Sequence, residues 1–374
     1  MKLLFSGDFA PLLDQKDLVD DPFQGVNHLL EDCDLHITNL ECPFTRSDAP
    51  IEKTGPSLRA DPRHIDLLRQ ARVDLACMAN NHIFDYGERG ILDTIEVCKQ
   101  NNIETPGIVN RPDGMDHSLV KEVKGKRIAF VNLCEHEFSV RAPGLIGANG
   151  YDDIEAFYHI RSLRKEVSYL VVLYHGGNEY YPLPNPGLKK TFHYLADLGA
   201  DAVIGHHTHV LGGYEIYRGK PLVYSLGNFF FPSDNEPEEW YTGMICMLEM
   251  GEVVKLNFFP ILQCRGGYEI VLPDEPLRKE IMEKVEKLSF QISNDETLAE
   301  EWDRYTQGQG SGMTRFLLHS SRLERYLLRS SALCRLSEKY FRTSQRRLVI
   351  SNVIRCQSLR HLILDSLNQK NREK

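Results

Sequence analysis

Apolar and polar positions along this 374-residue chain fall into two periods. Short apolar runs rich in Val, Ile, Leu and aromatic residues predict strands at "KLLFS" (2–6), "LHITNL" (35–40), "VDLACM" (73–78), "RIAFVNL" (127–133), "YLVVLY" (169–174), "DAVIGH" (201–206) and "PLVYSL" (221–226). Between them, "RGILDTIEVCKQNN" (89–102) and "NPGLKKTFHYLADLGA" (185–200) carry helical spacing. The second opens on Asn-Pro and closes at Gly199, both helix-boundary signals. Strand–helix alternation of this kind predicts an α/β fold in which helices cover a sheet.

The pattern changes after "DNEPEEW" (234–240). "TGMICMLEM" and "VVKLNFFPILQ" (253–263) read as a hairpin, "LRKEIMEKVEKLSFQI" (277–292) as a helix and "TQGQGSG" (306–312) as a flexible joint. The remainder is helical and partly amphipathic. These breaks divide the chain into a body at 1–265, a helical connector at 266–305 and a helical extension at 313–374.

Charge sharpens that division. From Arg315 onward there are 14 Lys and Arg against 4 Asp and Glu, which leaves 30 against 49 for the part before it. A basic helical tail on an acidic body can dock onto that body, lie on an anionic membrane surface or hold an assembly partner; nucleic acid is not expected. No stretch approaches the roughly 18 apolar residues of a membrane helix. The opening "MKLLFSGD" lacks a signal-peptide apolar core, so the cytoplasm is the expected location. Nine dispersed cysteines without a C-x-x-C pair read as reduced core thiols, in keeping with that location.

The chemistry collects where strands end. In chain order these ends carry Asp8, then Asn39 and Glu41, then Asn80, Asn81 and His82, then His175 and Glu179, then His206, His207 and His209, then Asn228. Ligands of open α/β sheets bind outside the carboxyl ends of strands, where loops converge on one crevice. Carboxylates, an amide and several imidazoles gathered there make a metal-ligand set. Its N/O character without thiolate suits Mn, Fe, Zn or Mg. Taken singly, each residue has a plainer reading, a turn-forming Asp or a hydrogen-bonded His. The ordered set does not.

That order, Asp8, Asn39-x-Glu41, Asn80-Asn81-His82, His175-Gly-Gly-x-Glu179-Tyr180, Gly205-His206-His207-x-His209 and Ser225-Leu-Gly-Asn228-Phe, resembles the capsule-synthesis CapA family. The resemblance covers about residues 1–265. It implies the calcineurin-like metallophosphoesterase superfamily, a layered β-sandwich flanked by helices, and an association with poly-γ-glutamate or capsule production. It further implies two divalent ions. Asp8 and His209 would serve the first, Asn81, His175 and His207 the second, and Glu41 would bridge them. His82 would stand beside the metals without binding them and act as acid toward the leaving oxygen. The superfamily's usual Asp-x-His is here Asp8-Phe9-Ala10, a departure shared by CapA-like proteins, which implies an open or weakly held first ion.

Around this set, Asn39, Asn80, Asp85, Glu179, His206 and Asn228 are candidates to orient the ligands. Lys53 and Arg59, in "EKTGPSLRADP" (52–62), are candidates to receive phosphate or carboxylate oxygens of an anionic small-molecule or polymer substrate. "CEHEF" (134–138) can line the same crevice, with His136 an ordinary residue. Three functions fit: a metal-dependent hydrolase of the CapA type, cutting a phosphoester or a bond in an anionic capsule-related polymer; a metal-binding accessory to polymer synthesis with little hydrolysis of its own; and a non-enzymatic scaffold docked through its tail. Residues 313–374 as a lid, a partner-docking element or a membrane contact stay open.

Overall fold

The computed structural model describes residues 1–13, 20–112, 118–310 and 344–363. Its strands are β1 (Lys2–Phe9), β2 (Leu35–Leu40), β3 (Leu75–Cys77), β4 (Ile108–Val109), β5 (Ser118–Val123), β6 (Lys126–Cys134), β7 (Gly147–Ala148), β8 (Tyr169–His175), β9 (Ala202–His206), β10 (Tyr214–Tyr217), β11 (Lys220–Val223), β12 (Asn228–Phe230), β13 (Thr242–Glu249), β14 (Lys255–Gln263) and β15 (Ile270–Val271). The helices are α1 (Asn27–Glu31), α2 (Ile65–Gln70), α3 (Gly87–Gln100), α4 (Asp153–Leu163), α5 (Pro186–Leu198), α6 (Glu275–Ser293), α7 (Asp295–Tyr305) and α8 (Ser344–Arg355).

Two mixed sheets face each other. The first runs β15-β14-β13-β1-β2-β3, with β12 added against β1; the second runs β10-β11-β9-β8-β6-β5. Side chains on successive strand residues point to opposite faces, and the clusters follow that period. Leu3 and Phe5 of β1 pack with Val171 and Leu173 of β8 in the core between the sheets. Leu4 instead joins Leu29, Leu68 and Cys98 under α1–α3, and Leu170 and Val172 join Ile160, Phe192 and Trp302 under α4, α5 and α7. Helices therefore cover both outer faces, which is why the central strands read as continuous apolar runs. This is the α/β sandwich flanked by helices expected from the sequence.

Helix α5 shows how local signals fix an element. The Asn185 side chain accepts from the Leu188 N–H at 2.9 Å, Pro186 opens the first turn, and Gly199 ends it at φ 132°. Its fully buried Phe192 stacks on Tyr224 with ring centroids 4.8 Å apart. Burying one such ring is worth roughly 1.5–3 kcal/mol.

Several boundaries differ from the sequence reading. β3 keeps only Leu75–Cys77 of "VDLACM", because after Cys77 the chain leaves the ladder with β2 to deliver its polar residues. β11 stops at Val223, before "YSL". The described part of the expected joint, 306–310, is a π-helical turn with Thr306 buried rather than a slack link; residues 311–312 lie outside the described residues. Most of the basic extension lies outside them as well. Its described part, 344–363, is helical except at Cys356 and packs on the body, with Leu362 in the cluster under α5. No helix among the described residues is long and apolar enough to cross a membrane.

Candidate metal centre

Strand register assembles the site. In the first sheet Asp8 pairs with Asn39 of β2 and with Asn228 of β12, and the Glu41 N–H bonds the Phe9 carbonyl at 2.9 Å just past them. In the second sheet His175 lies opposite His206, with Cys134 on its other side. β1 changes register between Phe5 and Asp8, around Gly7. A Cβ on Gly7 would stand 2.0 Å from the Gly227 carbonyl oxygen, so only glycine lets the two backbones pass there.

Three donor atoms converge in one half of the site. His175 Nε2 lies 3.0 Å from Asn81 Oδ1 and 3.1 Å from His207 Nδ1. An amide oxygen only accepts, and two neutral imidazole nitrogens can share at most one proton, so lone pairs here point at one another. Glu41 Oε1 stands 3.9 Å from His175 Nε2 and 3.4 Å from His209 Nε2, placing it between the two halves. In the other half Asp8 Oδ2 is 3.5 Å from His209 Nδ1, while Asp8 Oδ1 accepts from Asn39 Nδ2 at 2.8 Å. Glu41, His175 and His207 form one group able to hold an ion, and Asp8, Glu41 and His209 form another.

Whether these residues fit cations is decided by the buried polar atoms. Both oxygens of fully buried Glu41 lack any hydrogen-bond partner among the described residues, as does His175 Nδ1. A buried polar group left so is costly unless something else satisfies it. Burial first, and then the neighbouring Asp8 charge, push the Glu41 carboxyl well above the usual carboxylate range. Burial opposes ionisation of Asp8 too, but the hydrogen bond from His209 and the charges of His206, His209 and His175 hold it below that range. One carboxylate too many and orphaned lone pairs are what divalent cations would resolve. The residues fit two such ions.

The backbone is bent to serve the set. His207 and His209 adopt φ of 98° and 58°, and Tyr180 adopts 59°, conformations that side chains other than glycine rarely take. The His207 N–H donates to Asp8 Oδ2 at 3.1 Å, which ties this turn to the end of β1. Gly177, at φ 124°, completes the loop after β8 and donates to Glu135 Oε1 at 3.1 Å.

His82 stands at the rim. Its Nδ1 lies 2.7 Å from Asp85 Oδ2, so Nε2 is the ring nitrogen left to meet a ligand. Lys53 Nζ bonds Asp85 Oδ1 at 2.5 Å and comes within 3.1 Å of His82 Nδ1, and this ion pair is almost wholly buried. Burial and the Lys53 charge lower the His82 pKa; the Asp85 carboxylate opposes them. Asn80 shapes the turn: its Oδ1 accepts from the His82 and Ile83 N–H groups at 3.1 and 2.9 Å, and its Nδ2 reaches the Leu40 carbonyl at 2.8 Å.

The structure brings most of the expected residues together but not all. Asn228 Oδ1 contacts His209 Nδ1, and Glu179 lines the open cavity with Lys53, Asn81, His82 and His207. His206 turns away, its Nε2 3.1 Å from the Ser6 carbonyl. Arg59 is not brought to the cavity: it is exposed, bonds the Ser47 carbonyl and lies over the Tyr86 ring at 5.0 Å. In "CEHEF" it is the two glutamates that matter. Buried Glu135 stands 3.7 Å from His207 Nε2, and Glu137 lines the cavity, where burial pushes its carboxyl up to about 7. His136, by contrast, bonds the Tyr151 carbonyl at 3.0 Å. A strand-end glutamate on either side of a histidine was the available signal.

Known proteins resemble this chain over the span that carries these strand-end motifs. The profile of the family described as "Bacterial capsule synthesis protein PGA_cap" matches residues 2–233, from β1 through the last of the strand-end motifs. "PGA biosynthesis protein CapA" of Bacillus subtilis is 29% identical over 241 residues, 61% of this chain and 61% of that protein. "Capsule biosynthesis protein CapA" of Bacillus anthracis is 28% identical over 219 residues, 56% of this chain and 53% of that protein. "Probable polyglutamine synthesis accessory protein Rv0574c" of Mycobacterium tuberculosis is 26% identical over 212 residues, 52% of this chain and 55% of that protein. The chain thus spans between about half and three-fifths of the length of these relatives. A 5'-nucleotidase precursor from Thermus thermophilus is a remote structural likeness, with a TM-score of 0.42 and 15% identity over 77% of this chain and 58% of that one. The profile match covers well over half of the chain and every ligand position described above, and the chain belongs to the bacterial capsule synthesis protein family PGA_cap.

Proposed function

We propose that this chain is a metal-dependent hydrolase acting on an anionic, capsule-related substrate. The observation that carries the reading is buried Glu41, with both oxygens unpartnered among the described residues, between two imidazole-bearing halves of one site. Asn81, His175 and His207 would hold one divalent ion, Asp8 and His209 the other, and Glu41 both. Such ions, when bound, supply Lewis acidity and an activated water at neutral pH. The chain's own residues do the rest. Asp85 fixes the His82 ring through Nδ1 and leaves Nε2 to deliver a proton to a leaving oxygen. Lys53 is a cation among the described cavity-lining residues and sits where a phosphate or carboxylate oxygen would enter. The resemblance to the capsule-synthesis CapA family, together with relatives named for PGA and polyglutamine synthesis, favours a polymer of glutamate as substrate class.

A second reading keeps the metals and drops the hydrolysis, making the chain an accessory to polymer synthesis. Ala10, where the wider superfamily has a first-strand histidine, favours it. The two separate on one assay. Hydrolysis of a chromogenic phosphodiester and of a γ-linked glutamate polymer is measured with added Mn, beside His82→Ala and His207→Ala. Mn-dependent turnover lost in both variants supports the hydrolase; bound metal with no turnover on either substrate supports the accessory role.

A further inference from the structure

Glu135 is a buried carboxylate that the reading above leaves without a task. It follows directly on β6, and its backbone N–H donates to the carbonyl of His175, one of the proposed ligands, at 3.0 Å. Its side chain meets a second. Glu135 Oε1 stands 3.7 Å from His207 Nε2 and accepts the Gly177 N–H at 3.1 Å. At 3.7 Å the contact with the ring is electrostatic rather than a hydrogen bond. The other ring nitrogen of His207, Nδ1, lies 3.1 Å from His175 Nε2, inside the group able to hold an ion. A ring that ligates through Nδ1 keeps its proton on Nε2, which here faces Glu135. A carboxylate behind a ligating imidazole fixes its tautomer and orientation and raises its basicity.

What holds this carboxylate comes from the far end of the chain. The Ser358 N–H and Oγ both donate to Glu135 Oε2, at 3.0 and 2.7 Å, across 223 positions of sequence. Hydrogen bonds to an ionised acceptor are about twice as strong as neutral ones. Ser358 is itself buried, in a segment that packs on the body on either side of it. Cys356 is buried, Leu362 joins the cluster under α5, and His361 lies against Gly187 so closely that a Cβ there would stand 2.6 Å from its ring. Cys356, Leu359 and Leu362 also line the cavity that holds His82 and His207. All of these tail residues lie beyond the span that matches the family profile, 2–233.

We propose that Glu135 orients His207 for its ion and that Ser358 sets the orientation of Glu135, which makes the segment at 356–362 a working part of the metal centre. The inference rests on the two-ion centre proposed above and extends it to residues outside the family span. Glu135 and Ser358 are positioning residues: neither reaches the ion, and both act through the His207 ring. Linkage makes the arrangement reciprocal. Whatever the docked segment adds to ion affinity, the bound ion adds to the docking of the segment.

The test reads metal binding and leaves turnover aside. Full-length protein is stripped of metal and titrated with Mn in competition with a chromogenic chelator. Glu135→Gln, which keeps the shape and removes the charge, should weaken one bound ion by about 10- to 100-fold. Ser358→Ala removes one of the two bonds to Oε2 and should weaken the same ion by about threefold. In the double variant Ser358→Ala should add little further loss, because its effect runs through Glu135. Hydrogen exchange read by mass spectrometry follows the reverse direction: Mn should slow exchange across 356–362 in the parent, and by less in Glu135→Gln. Ser358→Ala leaves every proposed ligand and its loop untouched, so it decides the matter if Glu135→Gln does not fold. A serine that only fastens the segment would lower the thermal midpoint and leave Mn affinity at the parent's value, and that result overturns the proposal. Fully additive losses in the double variant overturn it too, as does exchange across 356–362 that is indifferent to Mn. A parent that binds no Mn overturns the metal centre and this inference together, whereas a parent that binds Mn as tightly as both single variants do overturns this inference alone.

Discussion

The carboxamide oxygen of Asn228 lies 3.0 Å from Nδ1 of His209. With Nδ1–H donating to it, His209 is held in the tautomer whose Nε2 lone pair faces Glu41, 3.4 Å away. The proposed first ion would have few protein ligands, because Ala10 supplies none, so the orientation of this one ring weighs heavily. Asn228→Leu should lower metal affinity at that site by about 10- to 100-fold. Competition with a chromogenic chelator reads this directly, and unchanged affinity would show that the ring is positioned by its aromatic neighbours instead.

Glu41 and Asp8 sit together in a dry site, where burial and then the Asp8 charge raise the cost of ionising Glu41. Chelation should therefore lower the thermal midpoint, and Mn should restore it, by about 2.7 kcal/mol at a concentration a hundredfold above its Kd. Glu41→Gln separates the two contributions. The metal-free variant should be at least as stable as the metal-free parent, because one buried carboxylate is gone, yet Mn should no longer stabilise it. Scanning fluorimetry with and without chelator checks both signs; a metal-free variant that melts well below the parent would refute the account.

Asp85 joins three things: His82 Nδ1, the Lys53 ammonium and the Leu58 N–H at 2.7 Å. Removing one member of a buried ion pair strands the other, at a cost of about 3–5 kcal/mol. Asp85→Ala should lose stability on that scale in urea denaturation, whereas Lys53→Met with Asp85→Leu should lose much less. If the single and double variants unfold alike, the pair is not what holds the 53–58 loop to the turn.

The legibility of this chain followed from where each signal resides. The strand cores were readable because helices cover both outer faces, so β8 stands in the sequence as an apolar run from Tyr169 to Tyr174. β5 escaped notice because it is an edge strand whose residues alternate between covered and exposed. The ligands could be ordered because each follows its strand directly, and strand register fixes where it points. Arg59 misled for the opposite reason: it lies in a loop, where reach is set by contacts such as the Tyr86 ring that no spacing encodes. Ser358 gave no signal at all, since its partner, Glu135, lies far away in the sequence.

His36 offers a test away from the metals. Its ring is fully buried, with Nε2 2.8 Å from Ser6 Oγ and Nδ1 2.7 Å from the Ala71 carbonyl. Burial lowers its pKa from 6.5 to about 4, against a smaller opposing effect of the Ala71 bond. Between those values the unfolded chain binds a proton that the folded chain refuses, so ΔG of unfolding rises with pH there and falls on acidification. The contribution is fully present above about 6.5 and is lost progressively as pH drops to about 4, amounting to roughly 3 kcal/mol. His36→Gln, which has no proton to gain in this range, should flatten the acid limb of stability against pH while leaving its alkaline side unchanged. Urea midpoints collected from pH 7 to 4 measure it. An acid limb as steep in the variant as in the parent would assign the loss to other groups, the carboxylates of the metal centre first among them.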